Sequence, residues 1–195
     1  MTDTIPNEVM QSSPDIVLRV LSDVRYLAGA REMVAGVAKR LGFSHDSSSH
    51  LALAVDEALC NVIRHGYKQE LGCPIWVKIW PLNDDGENGP GICIVIEDEA
   101  QQVDPSKIQG RDLDDVRPGG LGVHIIRQVV DCAEYAPRQK SGMSLTLVKR
   151  TDGPSAQRTR ALAGGCDDAT CGCVEPPGRP GTNANRAGRG ETERE

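Results

Sequence analysis

Aromatic residues are scarce in this 195-residue chain, which has two Trp, three Tyr and one Phe. So few rings argue against a surface on which the bases of single strands stack. Long apolar runs are also lacking. Hydrophobic residues make up 38% of the chain, and nowhere do they form the stretch of about 18 that a transmembrane helix needs. The sequence therefore predicts neither a base-stacking platform nor a membrane span.

Positive charge is in deficit, because 22 Lys and Arg residues stand against 28 Asp and Glu residues and leave a net charge of −6. General DNA- and RNA-binding proteins carry a basic surface instead, so direct binding of nucleic acid is not expected. The stretch from Met1 to Ser13 is polar and acidic, unlike a secretory signal. The seven cysteines are therefore interpreted as reduced thiols of a cytoplasmic protein.

The composition changes near residue 151. Residues 151–195 contain eight Gly and four Pro but no Phe, Tyr, Trp, Ile or Met. So little apolar surface cannot offset the entropy of ordering the segment. We therefore expect a disordered tail over 151–195, a disordered N-terminus over 1–14, and one folded domain over 15–150 between them.

The folded part mixes helical and strand patterns. A helix should start near Ser44 and end at Gly66, because its apolar residues follow the i, i+3, i+4, i+7 spacing of a core-facing stripe. Helices grouped early and antiparallel strands grouped late predict an α/β fold, a two-layer α+β sandwich whose mixed, mostly antiparallel sheet has helices on one face. The other expected elements are strands over 15–21, 75–80, 92–97, 133–136 and 144–149, and helices over about 22–41 and 121–132.

The helix that starts near Ser44 carries Glu57, Asn61 and His65 four residues apart. At about 100° per residue, Glu57 and Asn61 differ by about 40° and share a face that flanks the apolar stripe. An amide oxygen is a hard ligand that suits Mg²⁺, and a carboxylate one turn earlier can act as a general base. The same spacing also fits an amphipathic helix with a solvated flank, so the pattern alone leaves both interpretations open.

The apolar run Ile94–Ile96 is followed by Glu97 and then by Asp98. A carboxylate at the end of a buried strand is placed to bind whatever lies there, and it can accept a hydrogen bond from an adenine amino group. The alternative is that Asp98 only begins a turn. This motif is therefore a candidate binding residue that needs support from its surroundings.

A glycine-rich stretch from Arg117 to Ile126 leads directly into a helix. Free backbone N–H groups and the positive end of a helix suit a phosphate group. The stretch lacks the Gly-Lys-Ser/Thr ending of a Walker-type loop, and it lacks the full dinucleotide fingerprint. A flexible loop before a helix is the alternative interpretation.

The order of these motifs resembles the Bergerat-type ATP site of histidine kinases and gyrase B. Within that superfamily the chain most resembles the small stand-alone bacterial anti-sigma factor serine/threonine kinases. The run from Val55 to Tyr67 looks like the N-box of that family, and the stretch from Arg117 to Ile126 looks like its second glycine box. The resemblance covers the chain from about Asp15 to Arg150 and implies a Bergerat-type ATP-binding fold.

The resemblance implies a role for each matching residue. Glu57 would be the general base on a serine or threonine hydroxyl, and Asn61 would coordinate the Mg²⁺ that bridges the ATP phosphates. Asp98 would bind the adenine amino group, and Thr146 would help to bind adenine through a water molecule. The nucleotide-binding positions implied in this way are Asn61, Asp98, Ala100, Gly119, Gly120, Leu121, Gly122 and Thr146.

Cofactors and partners also follow from the resemblance. ATP and Mg²⁺ would be the cofactors, and the family substrate is a serine or threonine on a small anti-sigma factor antagonist of the STAS fold. The kinase otherwise holds a sigma factor, and relatives commonly form homodimers. The resemblance implies no membrane partner.

One position departs from the family pattern. The first glycine box of the family reads Asp-x-Gly, whereas this chain has Asp98-Glu99-Ala100. Alanine restricts positive φ, so it would weaken nucleotide binding unless the native φ is negative. The alternative function is a sequestering module of the same fold with weak or no ATP chemistry. Ala100 favours that alternative, and the retention of Glu57 and Asn61 disfavours it.

Overall fold

The computed structural model of the chain describes residues 11–84, 89–108 and 122–151, all within the unit Met1–Ala163. The predicted tail beyond Thr151 and most of the predicted N-terminus lie outside the described residues, so those predictions remain predictions. A bilayer crossing needs a longer and more apolar helix than any that the described residues form. The helices and strands are β1 (Ile16–Leu21), α1 (Leu27–Arg40), α2 (His45–Asn61), a π-helical segment (Val62–Gly66), β2 (Pro74–Leu82), β3 (Gly91–Glu97), α3 (Gly122–Val129), β4 (Cys132–Pro137) and β5 (Met143–Arg150).

The described strands form one sheet in the order β1-β2-β3-β5-β4. In the central strand β3, Ile94 lies opposite Ile79 of β2 and Leu147 of β5. The apolar sides of the helices join these residues in one core, which confirms the predicted two-layer α/β fold. Every pairing in the described part of the sheet is antiparallel, in keeping with the mostly antiparallel sheet that we expected.

Helix α2 forms where the apolar stripe predicts it. Ser44 caps its start, since the Ser44 hydroxyl accepts a hydrogen bond from the Ser47 N–H at 3.1 Å and satisfies a donor that the first turn leaves unpaired. The helix ends at Asn61, and the π-helical segment continues the chain to the predicted end at Gly66. The buried stripe comprises Leu51, Ala54, Val55, Ala58, Leu59 and Ile63.

Helix α3 ends earlier than the sequence predicts. Its expected span reached Cys132, but it ends at Val129, and Cys132 begins β4. The N–H of Asp131 already donates to the backbone oxygen of Val148 at 2.9 Å, and the Asp131 carboxylate lies 2.8 Å from Lys149 Nζ. The helix therefore ends before the apolar pattern of the sequence does, because the chain at Asp131 already pairs with β5.

The two sides of the sheet have different surroundings. Because successive side chains of a strand point to opposite faces, alternate residues of β2, β3 and β5 line the core under the helices, on what we call the inner face. The remaining ones lie on the outer face, where a second and smaller apolar cluster forms. Inner-face residues include Ile75, Val77, Ile79, Ile92, Ile94, Ile96, Leu145 and Leu147; the outer cluster comprises Trp80, Leu82, Cys93, Val95 and Val148.

Substitution of Ile94 by Ala should destabilise the domain strongly. Ile94 is fully buried in the central strand, and the cavity left by Ile94→Ala is expected to lower the free energy of unfolding by about 2–5 kcal/mol. Urea denaturation followed by circular dichroism measures this change. Val17→Ala is the control, because Val17 is 54% exposed on β1 and should change stability by less than about 0.5 kcal/mol. Equal losses in the two variants would contradict this core.

Candidate functional site

A cavity of about 320 Å³ lies between the inner face of the sheet and the helices. This volume falls in the range of small-molecule sites, roughly 300–1,000 Å³. Its wall combines the end of α2, the π-helical segment, the loop after β3, the start of α3 and part of β5. Candidate residues from three separate motifs meet there, namely Asn61, Asp98, Ala100 and Gly122.

Asp98 is buried at the end of β3 with 4% of its surface exposed. Its Oδ1 accepts hydrogen bonds from the N–H groups of Ala100 at 2.8 Å and Met143 at 3.2 Å. Burial raises the pKa of Asp98, although the bonds from Ala100 and Met143 and the charge of Arg138 act in the opposite direction. Within the described residues, Oδ2 makes no hydrogen bond, so this oxygen is available to accept one from a ligand.

Glu57 and Asn61 lie together at the first residue of α3, as their shared helix face predicts. A Cβ placed on Gly122 would lie 2.7 Å from Glu57 Oε2 and 3.3 Å from Asn61 Nδ2. A side chain at position 122 would therefore force the end of the Glu57 side chain to shift and would crowd the amide, and glycine lets α3 begin close to both without that shift. Asn61 is part of the cavity wall, whereas Glu57 lies beside it, outside the wall.

The amide of Asn61 is an unpaired polar group. Its Nδ2 is buried and has no hydrogen-bond partner in the described ranges. Burying an amide without a hydrogen bond costs free energy, so a ligand that pairs with this side chain would recover that cost. The oxygen of the same amide, together with phosphate oxygens and water, is a donor set that suits Mg²⁺. The residues present therefore fit a magnesium-bound nucleotide.

Ala100 occupies its position without backbone strain. The described non-glycine residues with positive φ are Lys68 and Gln69, so Ala100 has a φ that any residue adopts. Its methyl group lies only 3.0 Å from the place where a Cβ on Gly66 would be. The alanine is thus accommodated because the neighbouring position is glycine, and its methyl group forms part of the cavity wall.

Thr146 lies on the outer face of the sheet, away from the cavity. It is opposite Val95 of β3 and Glu134 of β4, while Leu145 on the same strand faces the core. Since side chains alternate along a strand, Thr146 points away from the bound molecule that the cavity would hold. The adenine contact expected of Thr146 is therefore wrong, and the β5 residues of the cavity wall are Met143 and Leu145.

The glycine-rich stretch is described only from Gly122 onward. Gly119, Gly120 and Leu121 lie outside the described residues, and their contact with phosphate remains a prediction. Gly122 and Val123 are part of the cavity wall, so the N-terminal end of α3 borders the cavity. The backbone N–H groups and the positive partial charge at that end favour an anion.

Two residues that were not among the candidate site residues hold the loop after β3. The Tyr67 hydroxyl accepts a hydrogen bond from the Glu99 N–H at 2.7 Å and donates one to Pro74 O at 2.6 Å. Burial raises the pKa of Tyr67 to about 12, so the hydroxyl keeps its proton at neutral pH. Gly142 has φ of +83°, and a Cβ there would overlap the carbonyl of Asp98. The only sequence signals are a tyrosine after the helix and a glycine in a turn, and neither shows which loop it contacts.

Comparison with known proteins supports the family relationship that the order of the motifs suggests. The family model of the histidine kinase-like ATPase domain matches residues 20–149. Serine-protein kinase RsbW of Staphylococcus aureus (strain MRSA252) is 30% identical over 149 residues, which cover 72% of this chain and 89% of that protein.

Proteins of the same name from two other bacteria give similar matches. The one from Listeria innocua is 30% identical over 137 residues, covering 69% of this chain and 85% of its own length. The one from Bacillus subtilis (strain 168) is 24% identical over 153 residues, covering 74% and 91% respectively. The chain therefore belongs to the histidine kinase-like ATPase domain family, and within it to the ATP-dependent serine-protein kinases of the anti-sigma factor type.

Proposed function

We propose that this kinase transfers the γ-phosphoryl group of magnesium-bound ATP to a serine or threonine hydroxyl of a small antagonist protein of the STAS fold. We also propose that it otherwise holds a sigma factor. The observation that carries the catalytic part is the meeting of Glu57 and Asn61 at Gly122, beside a cavity that contains Asp98. The two partner classes rest on the family resemblance.

Nucleotide binding in this proposal uses Asp98 and the side-chain amide of Asn61, whose Nδ2 has no hydrogen-bond partner in the described part of the chain. Asp98 Oδ2 accepts a hydrogen bond from the adenine amino group, because Oδ1 is already bonded to Ala100 and Met143. Asn61 holds Mg²⁺ through its amide oxygen, and the glycine-rich stretch before Gly122 supplies backbone N–H groups to the phosphates. When bound, Mg²⁺ neutralises negative charge on the phosphate oxygens.

Phosphoryl transfer then needs a base for the acceptor hydroxyl. The Glu57 carboxylate accepts the hydroxyl proton while the hydroxyl oxygen bonds to the γ-phosphorus. The bond from that phosphorus to the bridging oxygen breaks, and ADP leaves with the electron pair. Because Glu57 and Asn61 lie one turn apart on α2, the base and the metal ligand keep a fixed spacing, which such a positioning-dependent reaction requires.

An ATP-independent sequestering module of the same fold is the alternative. Ala100 favoured it, because alanine is strained where φ is positive. Ala100 does not have a positive φ, and its methyl group packs beside Gly66. That argument for the alternative is therefore lost, and we expect the native chain to bind nucleotide.

Substitution of Asn61 by Ala should weaken magnesium-dependent ATP binding. The variant loses the amide oxygen that holds Mg²⁺, and loss of a metal-site contact typically costs about 10- to 100-fold in affinity. Isothermal titration with ATP, with and without Mg²⁺, measures the effect.

The thermal midpoint of the ligand-free Asn61→Ala protein serves as the control. Because Nδ2 is unpaired in the described structure, removal of the amide should not lower that midpoint. Magnesium-dependent affinity equal to that of the wild type would rule out Asn61 as a ligand.

Substitution of Glu57 by Gln should abolish phosphotransfer while ATP still binds. Loss of a general base typically slows a reaction by about 10²- to 10⁴-fold. We expect a slowing in that range in single-turnover transfer from radiolabelled ATP to a purified STAS-fold antagonist.

Asp56→Asn is the matched control for Glu57→Gln. Asp56 is the adjacent carboxylate on α2, and it lies 4.0 Å from Arg31 of α1. Its substitution should leave the transfer rate within about twofold, since a partly exposed ion pair at 4.0 Å contributes little. If both variants transferred phosphate at the same rate, Glu57 would not be the base.

A further inference from the structure

Arg138, the first residue after β4, reaches the loop that follows β3. Its Nη1 donates a hydrogen bond to the backbone oxygen of Asp98 at 2.6 Å. Its own N–H donates to Gly142 O at 3.0 Å within the β4–β5 turn, and the side-chain amide of Gln102 donates to its backbone oxygen. Arg138 therefore connects this turn to both ends of the segment 98–102.

The guanidinium of Arg138 is held by two residues of the outer face. Its Nη2 lies 3.3 Å from Glu97 Oε2, and its Cζ lies 5.4 Å from the centre of the Trp76 ring. Trp76 and Glu97 are directly opposite each other on β2 and β3. A planar guanidinium can pair with the carboxylate and stack on the ring at the same time, which fixes its direction toward Asp98.

The peptide group between Asp98 and Glu99 is consequently held at both ends. Arg138 binds its oxygen, and the Tyr67 hydroxyl binds its N–H at 2.7 Å. The N–H of Ala100 belongs to the next peptide group of the same short loop, and it occupies Asp98 Oδ1. Arg138 therefore restrains the backbone of the loop in which Oδ1 is occupied and Oδ2 remains for a ligand.

We propose that Arg138 is a positioning residue for nucleotide recognition, which holds the Asp98–Glu99 peptide so that Asp98 presents Oδ2 to the adenine amino group. This proposal rests on the proposed function, in which Asp98 is the adenine-binding carboxylate. Arg138 acts through Asp98, because Arg138 itself is not part of the cavity wall.

Because Arg138 is charged, the proposal can also be tested through the pKa of Asp98. Burial raises the pKa of Asp98, and the nearby guanidinium opposes that rise. A neutral side chain at position 138 should therefore raise the Asp98 pKa further. As the pH is lowered, Asp98 of the variant would then be protonated, and ATP binding lost, at a higher pH than in the wild type. Among the described residues, the other titratable side chains at or beside this cavity remain in place in the Arg138 variants; they are Glu57, His65, Tyr67, Glu97, Glu99, Lys107 and Tyr135.

The positioning role is tested by measuring the ATP affinity of the wild type and of three variants, Arg138→Gln, Arg138→Lys and Lys78→Gln. Arg138→Gln should bind ATP about tenfold more weakly than the wild type, as expected for loss of one charge-assisted hydrogen bond. Arg138→Lys keeps the cation and should lose less. Lys78→Gln is the matched control, because Lys78 Nζ pairs with the same Glu97 carboxylate at 2.8 Å and has no contact with Asp98 in the described structure. Equal losses in Arg138→Gln and Lys78→Gln would overturn the proposal.

Carboxyl NMR titration of Asp98 in the ligand-free proteins separates this proposal from the proposed function. The titration midpoint should be higher in Arg138→Gln than in the wild type, and close to the wild type in Arg138→Lys and Lys78→Gln. An unchanged midpoint in Arg138→Gln would overturn the role of Arg138, even if ATP binds normally. Absence of ATP binding by the wild type would instead contradict the proposed function and, with it, the recognition role.

Discussion

A carboxylate buried at the end of a central strand must be hydrogen-bonded, and this end of the fold is arranged around that requirement. Asp98 is bonded through Oδ1 to the backbone of its own loop and to β5. Its peptide group is held by Arg138 from one side and by Tyr67 from the other. Gly142 lets the β4–β5 turn lie directly against its carbonyl. Because these contacts occupy the backbone oxygen and Oδ1 of Asp98, Oδ2 is its one acceptor without a partner among the described residues, and in the proposed function this oxygen would recognise the ligand.

The catalytic candidates depend on a different constraint, which is the close approach of two helices. Helix α3 begins against Glu57 and Asn61 of α2, and the absence of a Cβ at Gly122 allows that contact without a shift of either side chain. In the proposed function, the base and the metal ligand would therefore both be positioned by α2, with the start of α3 against them. Asp98 is positioned by a different element, the end of β3, and lies in the cavity wall together with Asn61.

The sequence was informative where periodicity is local. The stripe on α2 and the shared face of Glu57 and Asn61 follow from helical geometry alone, and the start near Ser44 was also predicted from the sequence. The prediction for Thr146 was wrong because successive residues of a strand face opposite sides of the sheet. Which residues of β5 face the cavity depends on the strand register, and the sequence does not show that register. Contacts between distant segments also could not be predicted from the sequence, since Arg138 lies 40 residues from Asp98 and Tyr67 lies 32 residues from Glu99.

Comparison of ATP with inosine triphosphate tests the central claim most directly. At position 6 the base of inosine carries an oxygen where adenine carries its amino group, and its N1 carries a proton where adenine N1 is an acceptor. From position 6, therefore, only ATP can donate a hydrogen bond to Asp98 Oδ2. Isothermal titration of the wild-type protein in the presence of Mg²⁺ should give an affinity at least about tenfold higher for ATP, the value of a hydrogen bond to a charged group. Equal affinities for the two nucleotides would contradict the assignment of Asp98 as the residue that recognises adenine.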